Sequence, residues 1–170
     1  MRRRTSGLVI VLACLLGPVS AADAATTLLR LDGIGPLKLG MTRAAAVKTG
    51  WLADRAPGCE LASPRPITYL FTGPKAPGGI HGSAQFERGR LRVVSFSGGV
   101  RTRLGVRIGT PTARMVSKYR NAGFSASARF LPTFAGTFVT VKRHGNQVLG
   151  AFAKGGHLKN LAIPAVPVCE

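Results

Sequence analysis

The chain has 170 residues, of which 24 are basic and only 6 acidic, for a formal net charge of +18. That length holds one ordinary domain with a sizeable core and leaves little room for a second. Beyond the first two dozen residues no stretch is long and apolar enough to span a membrane, and the charge points toward anionic partners rather than to any particular fold.

Residues 1–24 read as a signal peptide. Arg2, Arg3 and Arg4 form a positive start, Leu8 to Leu16 is an apolar run too short for a membrane anchor, and Ala22-Asp-Ala24 offers small-residue cleavage, with Ala21 as a nearby second choice. Val11-Leu-Ala-Cys14 is a lipobox-like alternative that would anchor the chain through Cys14, although this cysteine sits in the middle of the apolar run. Removing the leader leaves a charge of about +16. Cys59 and Cys169 then remain as an even pair in an exported chain, the usual setting for a disulfide. The loop it closes is worth roughly 4–5 kcal/mol in the chain-entropy treatment.

Thr26 to Asp32 suits a short strand, and Gly33-Ile-Gly-Pro36 a turn. Leu37 and Leu39 then alternate about Lys38. Thr42 is placed to cap a small-residue helix, Ala44 to Val47, that Gly50 ends. Ala53 to Pro66 reads as a proline-bearing loop. Strands are predicted at Ile67–Phe71, Gly82–Glu87 and Leu91–Phe96, with Arg88-Gly89 as a tight turn. A connector, Gly98 to Gly105, leads to Val106 and Ile108 flanking Arg107. Thr110-Pro111 opens a second helix with Met115, Val116 and Tyr119 on its apolar stripe, stopped by Gly123. Ala128–Leu131, Thr137–Val141, Gln147–Phe152 and Leu158–Ile163 complete the strands, turning at His144-Gly145-Asn146 and Gly155-Gly156.

The two halves match. Gly40 to Gly109 and Val47 to Val116 share an offset of 69, and Phe86 and Leu91 find counterparts in Phe152 and Leu158 at offsets of 66 and 67. The expected fold is therefore α+β: a single domain over 25–170 built from two pseudo-repeats, about 33–97 and 102–163. Each would be a short helix followed by three antiparallel strands, mainly antiparallel sheet with the two helices packed on it.

Leu39-Gly-Met-Thr42 ahead of a small-residue helix resembles the repeat unit of the beta-lactamase inhibitory proteins. It is also similar to the small lipoprotein of the outer-membrane barrel-assembly machinery. Gly33-Ile-Gly-Pro-Leu-Lys-Leu-Gly-Met-Thr42 with Thr102-Arg-Leu-Gly-Val-Arg-Ile-Gly109 resembles exported two-repeat proteins of unassigned function from high-GC Gram-positive bacteria. The resemblance implies helices layered on a sheet, secretion and non-enzymatic binding. It does not carry over inhibition, because the inhibitory proteins bind through an aromatic-rich sheet and aromatics here are only 6%.

No carboxylate pair, Gly-x-Ser-x-Gly, Ser-x-x-Lys or His-Glu-x-x-His pattern marks an active site. His81, His144 and His157 fall at turns or strand starts. The last two lie on the order of 30 Å apart at strand spacing, too far to share a metal. No catalytic residue, metal ligand or cofactor is assigned. The expected function is a secreted binding module of the cell envelope that engages an anionic polymer or a secreted protein through Arg88, Arg90, Arg92, Arg101, Arg103 and Arg107. Arg90 and Arg92 alternate about Leu91, so they would share a sheet face. Two alternatives are an inhibitor of a secreted or wall-associated enzyme and a hydrolase of unrecognised type. Nucleic acid suits the charge, but no basic motif interleaved with stacking aromatics stands out.

Overall fold

The computed structural model describes residues 26–58 and 65–168. The signal segment, Cys14, Cys59 and Cys169 lie outside the described residues.

The first strand, β1 (Thr27–Arg30), turns through β2 (Gly33–Ile34) and β3 (Leu37–Lys38) into the six-residue α1 (Arg43–Lys48). Thr42 caps α1 as expected, its Oγ1 accepting from the Ala45 amide at 3.3 Å. The left-handed Gly50 (φ 76°) releases the chain after one and a half turns. Four strands follow, β4 (Ala53–Ala56), β5 (Ile67–Leu70), β6 (His81–Glu87) and β7 (Arg90–Gly98). Then come β8 (Val100–Thr102) and α2 (Thr112–Asn121). Four more complete the chain: β9 (Ser125–Leu131), β10 (Gly136–Arg143), β11 (Asn146–Lys154) and β12 (His157–Ile163).

This architecture corrects the balanced helix-plus-three-strand expectation. The described residues are mostly β, with 50% strand against 14% helix. Its strands form two sheets, one of eight in the order β4-β5-β6-β7-β12-β11-β10-β9 and one of four in the order β3-β2-β1-β8. The expected loop Ala53–Pro66 contributes β4, and the expected connector contributes β8, which runs parallel to β1. Neither strand has an alternating apolar pattern. Each is held by ladder hydrogen bonds to a neighbour, which hydrophobic periodicity does not register. Thr110 is also not the cap of α2: Pro111 holds that place, and the Thr110 hydroxyl accepts from the Arg107 amide instead.

Antiparallel register carries one row of side chains across the large sheet. Phe96, Leu161, Ala151 and Val139 lie side by side, and the next row brings Ile163, Val94 and Ala84 together. All seven are buried and join one core with Ala46 of α1, Met115 and Tyr119 of α2, and Leu29, Ile34 and Leu37 of the small sheet. The opposite row, Leu70, Ser83, Ser95, Ala162, Gly150, Thr140 and Ser127, consists mostly of small residues. The C-terminal segment crosses that face at Gly150, where a Cβ would come within 2.8 Å of the Val166 nitrogen.

Both helix entries are latched in the same way. The Gly40 amide donates to the Leu91 carbonyl, the Leu91 amide to Met41, and the Arg43 amide to Gly89, each at 2.8 Å. In the second half the Gly109 amide donates to Leu158, the Leu158 amide to Thr110, and the Thr112 amide to Gly156, at 2.9, 3.0 and 2.9 Å. Gly40 (φ 84°) and Gly109 (φ 83°) take the same left-handed turn in front of their latches.

Candidate functional site: a cationic cleft at the start of the second helix

The six predicted arginines do not form one surface. Arg88 and Arg90 flank the β6–β7 turn, and Arg92 stands at a bulge where Leu91 and Val93 pair with consecutive residues of β6. Arg90 and Arg92 are both exposed on either side of the buried Leu91, as the alternation predicts. Arg90 also has a structural duty: its guanidinium donates to the Gly40 carbonyl at 3.0 Å, bracing the entry to α1. The nine residues of β7 separate this hairpin from Gly98, about 26 Å at strand spacing. Arg101, Arg103 and Arg107 lie beyond that far end.

There the chain builds a cleft. The Thr102 amide donates to the Val106 carbonyl at 2.8 Å, and the Thr102 hydroxyl accepts from the Val106 amide at 3.2 Å. The turn closes through the left-handed Gly105 (φ 70°) and brings Arg107 into an antiparallel bridge with Arg101. The Thr110 hydroxyl then folds the chain into α2. Arg114 and Lys118 are four residues apart on that helix and so share one side of it. Arg101, Arg107, Arg114 and Lys118 line a cleft of about 540 Å³ with Gly105, Gly109, Thr110 and Pro111.

Among the described residues no carboxylate lines the cleft. The Lys118 ammonium donates to the Leu104 carbonyl at 2.7 Å, which fixes its position without neutralising it. The first turn of α2 contains no acidic residue and no side-chain cap, and its Thr112 amide is taken by the Gly156 carbonyl. Among the described residues only Arg30 and Lys38 have a carboxylate at ion-pair distance, both through Asp32.

No family model, no curated protein and no solved structure matches the chain. The site therefore rests on its own chemistry.

Among the described residues no three His, Cys, Asp or Glu side chains gather as a metal site. Asp32 is exposed; its hydrogen bond from Lys38, with the charges of Lys38 and Arg30, lowers its pKa despite some desolvation. Asp54 accepts from the Thr72 hydroxyl at 2.8 Å. Burial raises the pKa of the Tyr119 hydroxyl, partly offset by a hydrogen bond with Thr102, so it stays a neutral phenol.

Arg103 departs from its neighbours and lines a second, largely apolar cavity that shares no residue with the cleft. Arg114 and Lys118 were not among the predicted site residues, although their four-residue spacing was visible. Nothing local in the sequence shows that this side of α2 faces Arg101 and Arg107. The described neighbours of the two expected disulfide partners lie apart in the strand order: Gly58 is against Pro66 beside β5, and Val168 is beside β9 and β10.

Proposed function

We propose that the chain is an exported, non-enzymatic binding module whose α2 cleft engages an anionic, phosphate-bearing polymer of the cell envelope. The observation that carries this reading is the convergence of Arg101, Arg107, Arg114 and Lys118 on one cleft with no carboxylate among its lining residues. Guanidinium groups grip phosphate oxygens in paired hydrogen bonds, and three arginines with a lysine can follow successive charges along a chain. Placement outside the cell rests on the leader-like residues 1–24 and their basic start. The matched latches at Gly40 and Gly109 support the halves as copies of one unit. In that reading the second copy turned its helix entry into a binding cleft, while the first uses Arg90 to brace its own.

The test is titration with long-chain inorganic polyphosphate over a series of salt concentrations. Each phosphate contact contributes roughly 0.7–0.9 to the slope of log K against log salt for a linear polyanion. Changing Arg101, Arg107 and Arg114 together to Ser should flatten the slope by about 2–3. Changing Arg88 and Arg92 to Ser should leave it nearly unchanged. Equal slopes for the wild type and the cleft variant would refute the assignment.

A further inference from the structure

A second cavity, which shares no lining residue with the cationic cleft, lies between β1, α2 and the end of β10. Its volume is about 250 Å³. The walls are Leu29, Leu31, Leu104, Tyr119 and Phe124. Tyr119 and Phe124 meet edge to face, with ring centroids 5.4 Å apart, which gives the cavity a defined aromatic side. Its lining also includes three arginines, Arg30, Arg103 and Arg143.

The three are not equivalent. Arg30 is engaged, donating to the Gly35 carbonyl at 2.9 Å and to Asp32 at 3.3 Å. Arg143 lies over the Phe124 ring, its Cζ 6.0 Å from the centroid, and has no carboxylate partner among the described residues. Arg103 is exposed and has neither a hydrogen bond nor an ion pair among the described residues. Two unneutralised guanidinium groups therefore border an apolar cavity. Among the described residues no acidic side chain lines it.

We propose that this cavity is a binding site for a small amphiphilic carboxylate, its apolar body against Leu29, Leu104, Tyr119 and Phe124 and its anionic head on Arg103 and Arg143. The size sets the class. An apolar cavity of about 150 Å³ holds one benzene molecule, so this one accommodates a single ring with a short chain, or a medium aliphatic chain. The apolar walls reject a bare anion, which would leave them facing water. The arginines reject a neutral body of the same shape less strongly, because only the head-group hydrogen bonds are lost. Selectivity for one apolar body carrying one negative charge follows from the two halves of the lining acting together.

The experiment uses ¹⁵N-labelled protein, purified as the cell processes it, and follows its two-dimensional NMR spectrum during titration with 3-phenylpropanoate. The expected result is saturable movement of the Thr102, Arg103, Leu104 and Phe124 amides. The neutral alcohol 3-phenylpropan-1-ol should bind about tenfold more weakly, and propanoate more weakly still. Changing Arg103 and Arg143 together to Ser should erase the preference for acid over alcohol. Leu31→Trp should fill the cavity and weaken both aromatic ligands; the arginine variant carries the same test if that substitution disturbs the fold. Propanoate moving the same amides as strongly as the aromatic acid would overturn the proposal, as would an unchanged acid preference in the arginine variant or no saturable movement. None of these outcomes depends on polyphosphate binding at the cleft.

Discussion

Met115→Ala tests whether the two halves share one cooperative core. Met115 is fully buried on α2, in the second half of the chain, while the protein's single tryptophan, Trp51, lies in the first. The Trp51 ring packs over Gly35, where an added Cβ would come within 2.1 Å of it. The halves join where Leu161 pairs with Phe96 and Ile163 with Val94, all four completely buried. Truncating a buried methionine to alanine costs roughly 2–5 kcal/mol, so about 3 kcal/mol is a fair central value. With a urea dependence of about 2 kcal/mol per molar, the midpoint should fall by about 1.5 M. The melting temperature should fall by about 10 °C. Urea unfolding followed in parallel by Trp51 fluorescence and far-ultraviolet circular dichroism checks both the size and the coupling. The two curves should move together, because a cavity under α2 destabilises the sheet that Trp51 reports. An unmoved Trp51 transition beside a biphasic dichroism curve would refute the single-core reasoning.

Three further outcomes follow from particular contacts. Gly35→Ala should cost about 1–3 kcal/mol, because position 35 has φ 52° and the new methyl meets the indole; Trp51 emission should shift to the red as the ring is displaced. Asp32 should titrate below an ordinary aspartate, and Lys38→Met should move it back toward that value, as read by carboxyl-carbon NMR. Its folded pKa is depressed, so its contribution to stability is in place above the unfolded value of about 3.9 and is lost as pH falls through the folded value. The group is exposed, so the loss should be at most a few tenths of a kcal/mol and should shrink with salt. Arg90→Ala should loosen the entry to α1 by removing its bond to the Gly40 carbonyl, lowering stability by about 1 kcal/mol. Polyphosphate binding should be nearly unaffected.

Features with local causes were legible in the sequence. Thr42 caps α1 because a hydroxyl three residues before Ala45 reaches its amide. Gly50 and Gly123 end the helices because they adopt left-handed backbone, and Arg88-Gly89 and His144-Gly145 turn their hairpins with positive φ at both residues. The match between the Gly40 and Gly109 segments was also visible, and the same three hydrogen bonds occur in both places. What tertiary structure decided was whatever depends on partners distant in sequence. β4 and β8 are strands only because β5 and β1 lie beside them, and β9 extends well past its apolar residues along β10. Those added strands turned the expected helix-plus-three-strand units into an eight-stranded sheet beside a four-stranded one. The arginines show the same limit. Their charge is plain in the composition, but the length of β7 separates Arg88, Arg90 and Arg92 from Arg101 and Arg107, and only the packing of α2 sets Arg114 and Lys118 opposite the latter pair. Local backbone preference and side-chain periodicity act over a few residues; which distant charges share a cleft is set by strand order and helix docking.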